Sequence, residues 1–372
     1  MSDTLVPGTH RAVAPETTWA RVEPLLTEFG ITRVADVTRL DDIGIPVFIA
    51  IRPESETLAV SQGKGATPLL AKLSAVLESI ELWHAERPAP RSFTELPGRL
   101  DLPYRLTDLN VRDTGLALDA LPLQWLTARS LAGGAEVPVP LDVVRLSYSG
   151  EHFRRPRIFQ TSSTGLASGN TFAEACLHAL CEAVERDVLT TTAAGQHLDP
   201  AAIDDPHLTA LLDRLRTAGA EFELVHLRNR FGLPTFAARV WSPLFPVVCS
   251  GSGTHPDPSV ALSRAITEAV QSRLTEITST RDDIPSDFAM DAAATADPGF
   301  RPGTTPLAEV RHEYPEGFDG WEEELAKATA RIESATARTP LVVDLSTRPE
   351  LFHVVKVVCP GLVYTDGRML AA

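Results

Sequence analysis

The sequence contains no long apolar run and has a shortage of positive charge. No stretch reaches the roughly 20 apolar residues that a membrane-spanning helix needs, and the opening MSDTLVPGTHRAVAPETTW lacks the apolar centre of a signal peptide. The 34 lysines and arginines are outnumbered by 49 aspartates and glutamates, which gives a net charge of −15. Because nucleic acid is bound by clustered basic residues, it is not an expected partner. We expect a cytoplasmic protein that contacts no membrane.

Cysteine is scarce, and the four cysteines form no recognisable pattern. They are Cys176, Cys181, Cys249 and Cys359, and no two of them make a Cys-x-x-Cys pair. A zinc or redox site therefore has little support. The expected state is buried free thiols in a reducing compartment. A cysteine nucleophile for acyl transfer stays an alternative, although no His or Asn context marks one.

The chain does have abundant apolar residues and alternating patterns. Hydrophobic residues make up 44% of its 372 positions, so a substantial core can form, and the length allows one large domain or two. Strand-like and helix-like segments are interleaved throughout, which predicts an α/β or α+β class with mixed sheets and helices. Residues 281–320 are rich in Pro, Asp and Gly and are expected to form a long surface segment.

The most unusual stretch runs from Thr161 to Asp187. It begins as a turn of small residues and continues as a helix, expected from Phe172 to Leu189, that is apolar nearly all round. Charged residues nevertheless lie on this helix: Glu174, Glu182, Glu185 and Arg186. Burying carboxylates is costly unless they are paired or bind a metal, so a cation is expected beside them.

The same pattern, a glycine turn followed by an acidic helix, occurs three times. Thirteen residues separate Gly65 from Glu78, and thirteen separate Gly169 from Glu182. The third copy is looser, because fifteen residues separate Gly253 from Glu268. Each helix places two residues at i and i+3, namely Glu78 with Glu81, Glu182 with Glu185, and Glu268 with Gln271.

This pattern suggests a site for a divalent cation and phosphate. Residues at i and i+3 project from one face of a helix, so two glutamate pairs brought together would place four carboxylates close to one another. Their repulsion is about 4 kcal/mol per close pair at an effective dielectric near 20, and Mg²⁺ relieves it while binding substrate phosphates. Glycine turns at helix starts present N–H groups to anions. Lys64, Arg186 and Arg273 add positive charge for phosphate oxygens.

Each piece alone is weak, and only their co-occurrence gives them weight. A single E-x-x-E on a helix is usually a solvated surface pair. Gly63-Lys64-Gly65 lacks the G-x-x-x-x-G-K-[ST] spacing of a Walker loop. The interpretation depends on two matched copies, a third variant and the apolar surroundings of the carboxylates.

These segments resemble the YcaO family. The expected motifs are a glycine-lysine-glycine start, S-x-x-x-E-x-x-E, G-x-A-x-G-x-T-x-x-E-A leading to E-x-x-E-R-D, and A-L-x-R-A-x-x-E-x-x-Q-x-R. They occur in order between about residues 45 and 285, as Gln62-Gly-Lys64-Gly, Ser74-Ala-Val-Leu-Glu78-Ser-Ile-Glu81, Gly165-Leu-Ala-Ser-Gly-Asn170-Thr with Glu174-Ala and Glu182-Ala-Val-Glu185-Arg186-Asp187, and Ala261-Leu-Ser-Arg264-Ala-Ile-Thr-Glu268-Ala-Val-Gln271-Ser-Arg273.

The resemblance implies a single YcaO domain over residues 1–372, whose motif core is residues 45–285 and whose fold is completed by residues 286–372. It implies an ATP site between the repeated glycine-turn and acidic-helix units. The implied Mg²⁺ ligands are Glu78, Glu81, Glu182 and Glu185, and the implied nucleotide contacts are Lys64, Ser74, Asn170, Glu174, Arg186, Gln271 and Arg273.

The implied reaction is ATP-dependent activation of a backbone amide in a precursor peptide, as in the biosynthesis of ribosomal peptide natural products. Phosphorylation of the amide oxygen is followed by attack on the amide carbon. A Cys or Ser side chain gives an azoline, an amine a macroamidine and sulfide a thioamide. Phosphoryl transfer of this kind depends on positioning and charge neutralisation.

The sequence departs from the family pattern at two of these positions, and the role of one histidine stays open. Leu82 stands where many members have arginine, and Thr164 stands where an asparagine is frequent. Among side chains on the central helix, His178 is the candidate for a catalytic role, although packing is the favoured interpretation.

The opening Gly8-Thr-His-Arg11 resembles the stand-alone subgroup, which includes thioamide-forming members that work with a TfuA-type partner and bottromycin-type members. A homodimer is a possible assembly. The alternative function is a non-catalytic module that binds a peptide or a partner enzyme.

Overall fold

The protein is described here by a computed structural model, which covers residues 4–6, 8–88, 90–112, 115–147, 158–279, 298–301, 303–314 and 317–364. The strands are β1 Thr4–Val6, β2 Thr9–Arg11, β3 Arg33–Asp36, β4 Val47–Ile51, β5 Val60–Lys64, β6 Phe93–Glu95, β7 Leu123–Ser130, β8 Glu136–Pro140, β9 Leu166–Gly169, β10 Gln196–His197, β11 Glu221–His226, β12 Thr235–Ser242, β13 Phe245–Thr254, β14 Leu341–Asp344 and β15 His353–Val358. The helices are α1 Pro15–Val22, α2 Pro68–Glu86, α3 Phe172–Thr191, α4 Pro206–Thr217, α5 Pro258–Thr278, α6 Leu307–His312 and α7 Trp321–Thr336. Residues 281–297 of the predicted surface segment lie outside the described residues.

The chain forms two compact units. Unit 1 comprises Met1–Glu54, Leu58–Ser79 and Thr192–Phe318, and unit 2 comprises Ser55–Thr57, Ile80–Thr191 and Asp319–Ala372. The predicted class of mixed sheets and helices is confirmed, and the single domain over residues 1–372 stays a prediction.

Unit 1 contains three antiparallel sheets: β1-β2, β3-β4-β5 and β10-β11-β12-β13. Helix α5 packs against β12 and β13 and also against β5. Its start is fixed by Asp257, whose carboxylate accepts from the backbone N–H groups of Ser259 and Val260 at 2.7 and 3.2 Å. Apolar side chains of β4, β11 and β12 join those of α4 and α5 in one core, which includes Val47, Leu212, Leu224, Phe236 and Ile266.

Unit 2 is built on a six-stranded antiparallel sheet in the order β6-β7-β14-β15-β9, with β8 paired to β7. Helix α3 packs against β9, β15 and α7. Thirteen of its twenty residues are buried, which agrees with the all-round apolar pattern of its sequence. The helix begins at Phe172 as predicted and extends two residues beyond the predicted Leu189.

The predicted glycine turns are confirmed for Gly65 and Gly165, which lie outside the strands, but three other glycines before the helices belong to strands. Gly63 lies inside β5, Gly169 ends β9 and Gly253 lies inside β13. A Cβ on Gly63 would collide with the backbone of Ala71 and Ala75 of α2. These glycines therefore allow a strand to approach the following helix closely, and they do not form an anion-binding loop.

Two strand–helix modules have the same spacing. A Cβ on Gly253 would collide with the backbone of Ala261 and Ala265, which are eight and twelve residues later, as Ala71 and Ala75 are after Gly63. Fifteen residues separate Gly63 from Glu78, and fifteen separate Gly253 from Glu268. We call β5–α2 the first module, β9–α3 the second and β13–α5 the third. The third module thus closely matches the first in the interval from strand glycine to helix glutamate. Counting from Gly65 in place of Gly63 concealed this match in the sequence.

No helix in the described part of the chain is long and apolar enough to cross a membrane. All four cysteines are buried and free, as the sequence predicted.

Candidate functional site

In the first module, the acidic helix residue is held by the strand that precedes it. The backbone N–H of Gln62 donates to Glu78 Oε2 at 3.2 Å. Ser74 is half-buried one turn before Glu78, and Glu81 follows at i+3 on the same helix face. Glu81 accepts from the backbone N–H of Ser168 at 2.8 Å and from its hydroxyl at 2.6 Å. Glu78 and Glu81 are therefore both oriented by donors from strands.

In the third module, the corresponding carboxylate is already neutralised. Glu268 forms an ion pair with Lys64 of β5, and its other oxygen accepts from Ser252 Oγ at 3.4 Å. The side chains of Lys64 and Glu268 are 22% and 18% exposed, so part of each remains accessible. Gln271, the uncharged residue at i+3, is half-buried on α5. The structure thus brings Lys64 to a glutamate that was not among the predicted site residues.

Arg273 is buried and fully engaged within unit 1. Its Nε and Nη2 donate to the two oxygens of Asp41 at 2.9 and 3.2 Å, and Nη1 donates to the carbonyl of Phe245 at 3.1 Å. Its guanidinium also stands 5.0 Å from the centre of the Phe245 ring. These contacts anchor α5 to the segment before β4, and they are those of a structural arginine. The predicted nucleotide contact of Arg273 stays a prediction.

In the second module, Glu182 accepts from the backbone N–H of Gly165 at 3.1 Å and lies 3.9 Å from Arg186. Burial is the main cause that raises the pKa of Glu182 above its ordinary value, and the neighbouring carboxylate of Glu185 also raises it. The positive charges of Arg186 and Lys356 lower the pKa in part. Glu185 is itself only 7% exposed. A second cation beside these carboxylates would relieve their repulsion.

The loop before β9, residues 162–165, is held by a buried lysine of β15. Lys356 Nζ donates to the carbonyls of Ser162 and Thr164 at 2.6 and 2.7 Å. Lys356 is only 3% exposed. Burial lowers the pKa of its ammonium group, and the negative charge of Glu182 raises it. The sequence interpretation missed Lys356. The signal was present, since a lysine interrupts the otherwise apolar strand His353–Val358.

Asn170 and Glu174 form the start of α3. Glu174 Oε2 accepts from the backbone N–H and the side-chain amide of Asn170 at 2.8 and 3.2 Å, while Thr171 Oγ1 accepts from the backbone N–H of Glu174 at 3.1 Å. This reciprocal arrangement resembles a capping box. Glu174 is 1% exposed, so the observed geometry gives it a structural task. His178 is half-buried further along α3, and its catalytic role stays a prediction.

Across the described ranges, no group of three or more His, Cys, Asp and Glu side chains is arranged to hold a metal ion. The acidic residues occur instead as pairs on α2 and α3. Mg²⁺ is commonly held by one or two carboxylates together with substrate phosphates, and paired glutamate oxygens are suitable ligands for that arrangement.

Comparison with known proteins places the chain in a family. The model of the YcaO family, described as an ATP- and Mg²⁺-binding cyclodehydratase, matches residues 62–363. An uncharacterized protein of Mycobacterium tuberculosis is 38% identical over 377 residues, which cover 97% of this chain and 84% of that protein. Another uncharacterized protein, in the tfuA 3′ region of Rhizobium leguminosarum bv. trifolii, is 40% identical over 296 residues, covering 73% of this chain and 69% of that protein.

Among solved structures, YcaO from Methanopyrus kandleri bound with AMPPCP and Mg²⁺ has the same fold. Its TM-score is 0.70 at 22% sequence identity, with 100% of this chain and 99% of that chain covered. The chain belongs to the YcaO family, as its motifs predicted. The expectation of ATP and Mg²⁺ is confirmed at the level of the family, whose description names both.

Proposed function

We propose that this protein activates a backbone amide of a precursor peptide by transferring the γ-phosphoryl group of ATP to the amide oxygen. The observation that carries the proposal is the retention of a glutamate pair on each of α2 and α3, in a chain whose family is an ATP- and Mg²⁺-binding cyclodehydratase. Donors from strands orient Glu78 and Glu81, and a loop N–H orients Glu182, as an ordered binding site requires.

The proposed residue roles follow the chemistry of each group. Glu78, Glu81, Glu182 and Glu185 would hold Mg²⁺, which when bound neutralises phosphate charge during phosphoryl transfer. Lys64, Arg186 and Gln271 offer donors to phosphate or base, and Ser74 and Asn170 offer polar contacts. Lys64 needs the least adjustment, since its ammonium group already contacts a carboxylate and can exchange it for a phosphate oxygen.

The reaction balances with ATP and a nucleophile. The amide oxygen forms a bond to the γ-phosphorus and the bond to ADP breaks. A nucleophile then adds to the amide carbon, and phosphate leaves with the former amide oxygen. Attack by a Cys or Ser side chain gives an azoline and attack by an amine gives a macroamidine, each with net loss of water. Attack by sulfide replaces oxygen with sulfur and gives a thioamide.

The relative in the tfuA 3′ region favours testing a TfuA-type partner together with sulfide. We also propose the cytoplasm as the location, because it supplies ATP and keeps the four buried thiols reduced.

The test incubates the protein with a candidate precursor peptide, ATP and Mg²⁺, with and without a TfuA-type partner and sulfide, followed by mass spectrometry. We expect the peptide to lose the mass of one water or to gain the difference between sulfur and oxygen. Blocking the thiols or the terminal amine of the peptide distinguishes an azoline from a macroamidine. An unchanged peptide mass with all components present would contradict the proposal.

The non-catalytic alternative is distinguished by binding and mutation. A thermal shift that requires both Mg²⁺ and ATP, and that is lost in Glu182→Ala, supports the enzyme. A protein that binds the peptide equally well without nucleotide, and whose function survives Glu182→Ala, would be a binding module.

A further inference from the structure

The 162–165 loop is held to β15 by three hydrogen bonds, whose two donor atoms belong to consecutive residues. Lys356 Nζ donates to the carbonyls of Ser162 and Thr164 at 2.6 and 2.7 Å, and the backbone N–H of Val357 donates to the carbonyl of Gly165 at 2.7 Å. All of these atoms lie within unit 2. Three carbonyls of the loop are therefore turned toward β15, and the N–H of Gly165 donates to Glu182 Oε2 at 3.1 Å.

The loop adopts this shape only under constraint. Gly165 has φ +79°, and a Cβ there would collide with the carbonyl of Val357. The carbonyls of Ser162 and Thr164 converge on a single ammonium group. Two carbonyl dipoles that point at one position repel each other unless a donor, best a cation, lies between them. Lys356 supplies that cation, and it is only 3% exposed.

We propose that Lys356 is a positioning residue for Glu182: its ammonium group fixes the 162–165 loop, and through the N–H of Gly165 the loop fixes the carboxylate that binds Mg²⁺. This inference rests on the proposed function, in which Glu182 is a metal ligand. Groups that orient a ligand typically change metal affinity by about 10- to 100-fold when they are removed.

The experiment compares Lys356→Met with wild type and with a matched control, Lys327→Met. Lys327 is a lysine of the same unit whose ammonium group binds Asp319 and Glu324 at 2.5 and 3.0 Å on α7 and the segment before it. Mg²⁺ is titrated at a fixed concentration of a non-hydrolysable ATP analogue, and binding is followed by calorimetry. We expect the Mg²⁺ half-saturation of Lys356→Met to rise by about 10-fold or more, with that of Lys327→Met unchanged.

A second measurement needs no metal or nucleotide. Hydrogen exchange of the peptide that contains residues 162–169 should be faster in Lys356→Met than in wild type, because the loop loses two of its three anchors. Lys356→Arg keeps the charge and several donors, so it should restore much of the Mg²⁺ affinity that Lys356→Met loses. A role limited to stability would lower the melting temperature without this selective change in Mg²⁺ affinity.

The outcomes distinguish the proposed function from the positioning role of Lys356. If wild type binds no Mg²⁺ with the ATP analogue, the proposed function fails and the positioning role fails with it. If wild type binds and Lys356→Met has a half-saturation within about 2-fold of it, only the positioning role is overturned. If Lys356→Met does not fold, Lys356→Gln, which keeps one polar donor without the charge, is measured in its place and judged by the same limits.

Discussion

The first and third strand–helix modules share a backbone plan but differ in charge. In both, a strand glycine packs on the helix, and a glutamate follows fifteen residues later. The first module continues with a second carboxylate, Glu81, whereas the third has Gln271 and pairs its glutamate with Lys64. The same backbone arrangement therefore carries two different charge patterns. The first module has two carboxylates, an arrangement suited to a metal. In the third module Lys64 neutralises the single carboxylate.

The third module is also anchored by a buried ion pair. Asp41 and Arg273 form a buried ion pair whose side chains are 6% and 4% exposed. Removing one partner of such a pair leaves an uncompensated buried charge, so Asp41→Ala should destabilise the protein by about 3–5 kcal/mol. Urea unfolding measures this. Glu313→Ala, which removes the partner of the exposed Arg228, is the control and should cost no more than about 1 kcal/mol. Equal losses would show that the buried pair is not an anchor.

The sheet of the third module contains a buried histidine that should respond to acid. His226 Nδ1 lies 3.0 Å from Gln196 Oε1, and Nε2 lies 2.9 Å from the Tyr314 hydroxyl. Burial lowers the pKa of His226 from 6.5 to about 4. As the pH falls, the unfolded chain is protonated at this histidine near pH 6.5, whereas the folded protein is protonated only near pH 4. His226 therefore does not reduce the free energy of unfolding above pH 6.5. Between pH 6.5 and 4 the free energy of unfolding falls by at most about 3 kcal/mol.

Unfolding curves at several pH values measure this loss. The free energy of unfolding of His226→Gln should depend less on pH than that of wild type between pH 6.5 and 4. A variant with the same slope as wild type in this range would show that other groups cause the loss.

The charge difference between the modules is tested directly by neutralising each glutamate. Glu78→Gln keeps an oxygen for the N–H of Gln62 but removes a carboxylate that we propose as a metal ligand. We expect amide-activating turnover to fall by about 100-fold, which corresponds to about 2.7 kcal/mol. Glu268→Gln releases Lys64 from its ion pair and should cost about 10-fold at most. Peptide turnover at saturating ATP measures both. If Glu268→Gln were the more damaging change, the assignment of acidic and neutralised modules would be reversed.

The shared backbone plan is tested at its glycines. Gly63→Ala and Gly253→Ala each place a methyl group against helix backbone, so each should destabilise the protein by about 1–3 kcal/mol. Gly317→Ala is the control, because among the described residues no atom other than those of Gly317 and its chain neighbours lies within 4 Å of the added Cβ. Thermal unfolding measures all three. A neutral Gly253→Ala beside a damaging Gly63→Ala would show that the two modules are packed differently.

The sequence predicted the central helix closely, since α3 begins at the predicted Phe172 and ends two residues beyond the predicted Leu189. Long segments with clear apolar patterns and marked starts carry enough local information for this. Gly63 and Gly253 were assigned to turns because glycine usually marks turns in a sequence. Their actual task depends on a helix that packs on the strand, which no local pattern reveals.

The contacts of the candidate site were predicted least well, because they join residues far apart in the chain. Arg273 and Asp41 are 232 positions apart, and Lys356 and Thr164 are 192 positions apart. The motifs identified which carboxylates to consider. They did not indicate that Lys64 pairs with Glu268, or that Glu174 is occupied with the start of its own helix.

The fixed interval between the strand glycine and the helix glutamate also determines the direction of the carboxylate. Each residue advances an α-helix by about 100°, so one residue inserted between Gly63 and Glu78 would turn the glutamate by more than a quarter of a circle. The glycine contact prevents the helix from rotating to compensate, since its backbone lies directly against the strand. Insertions and deletions in this interval should therefore be more damaging than substitutions of its exposed residues. An engineered change of substrate or metal is best introduced by exchanging side chains while this interval is kept.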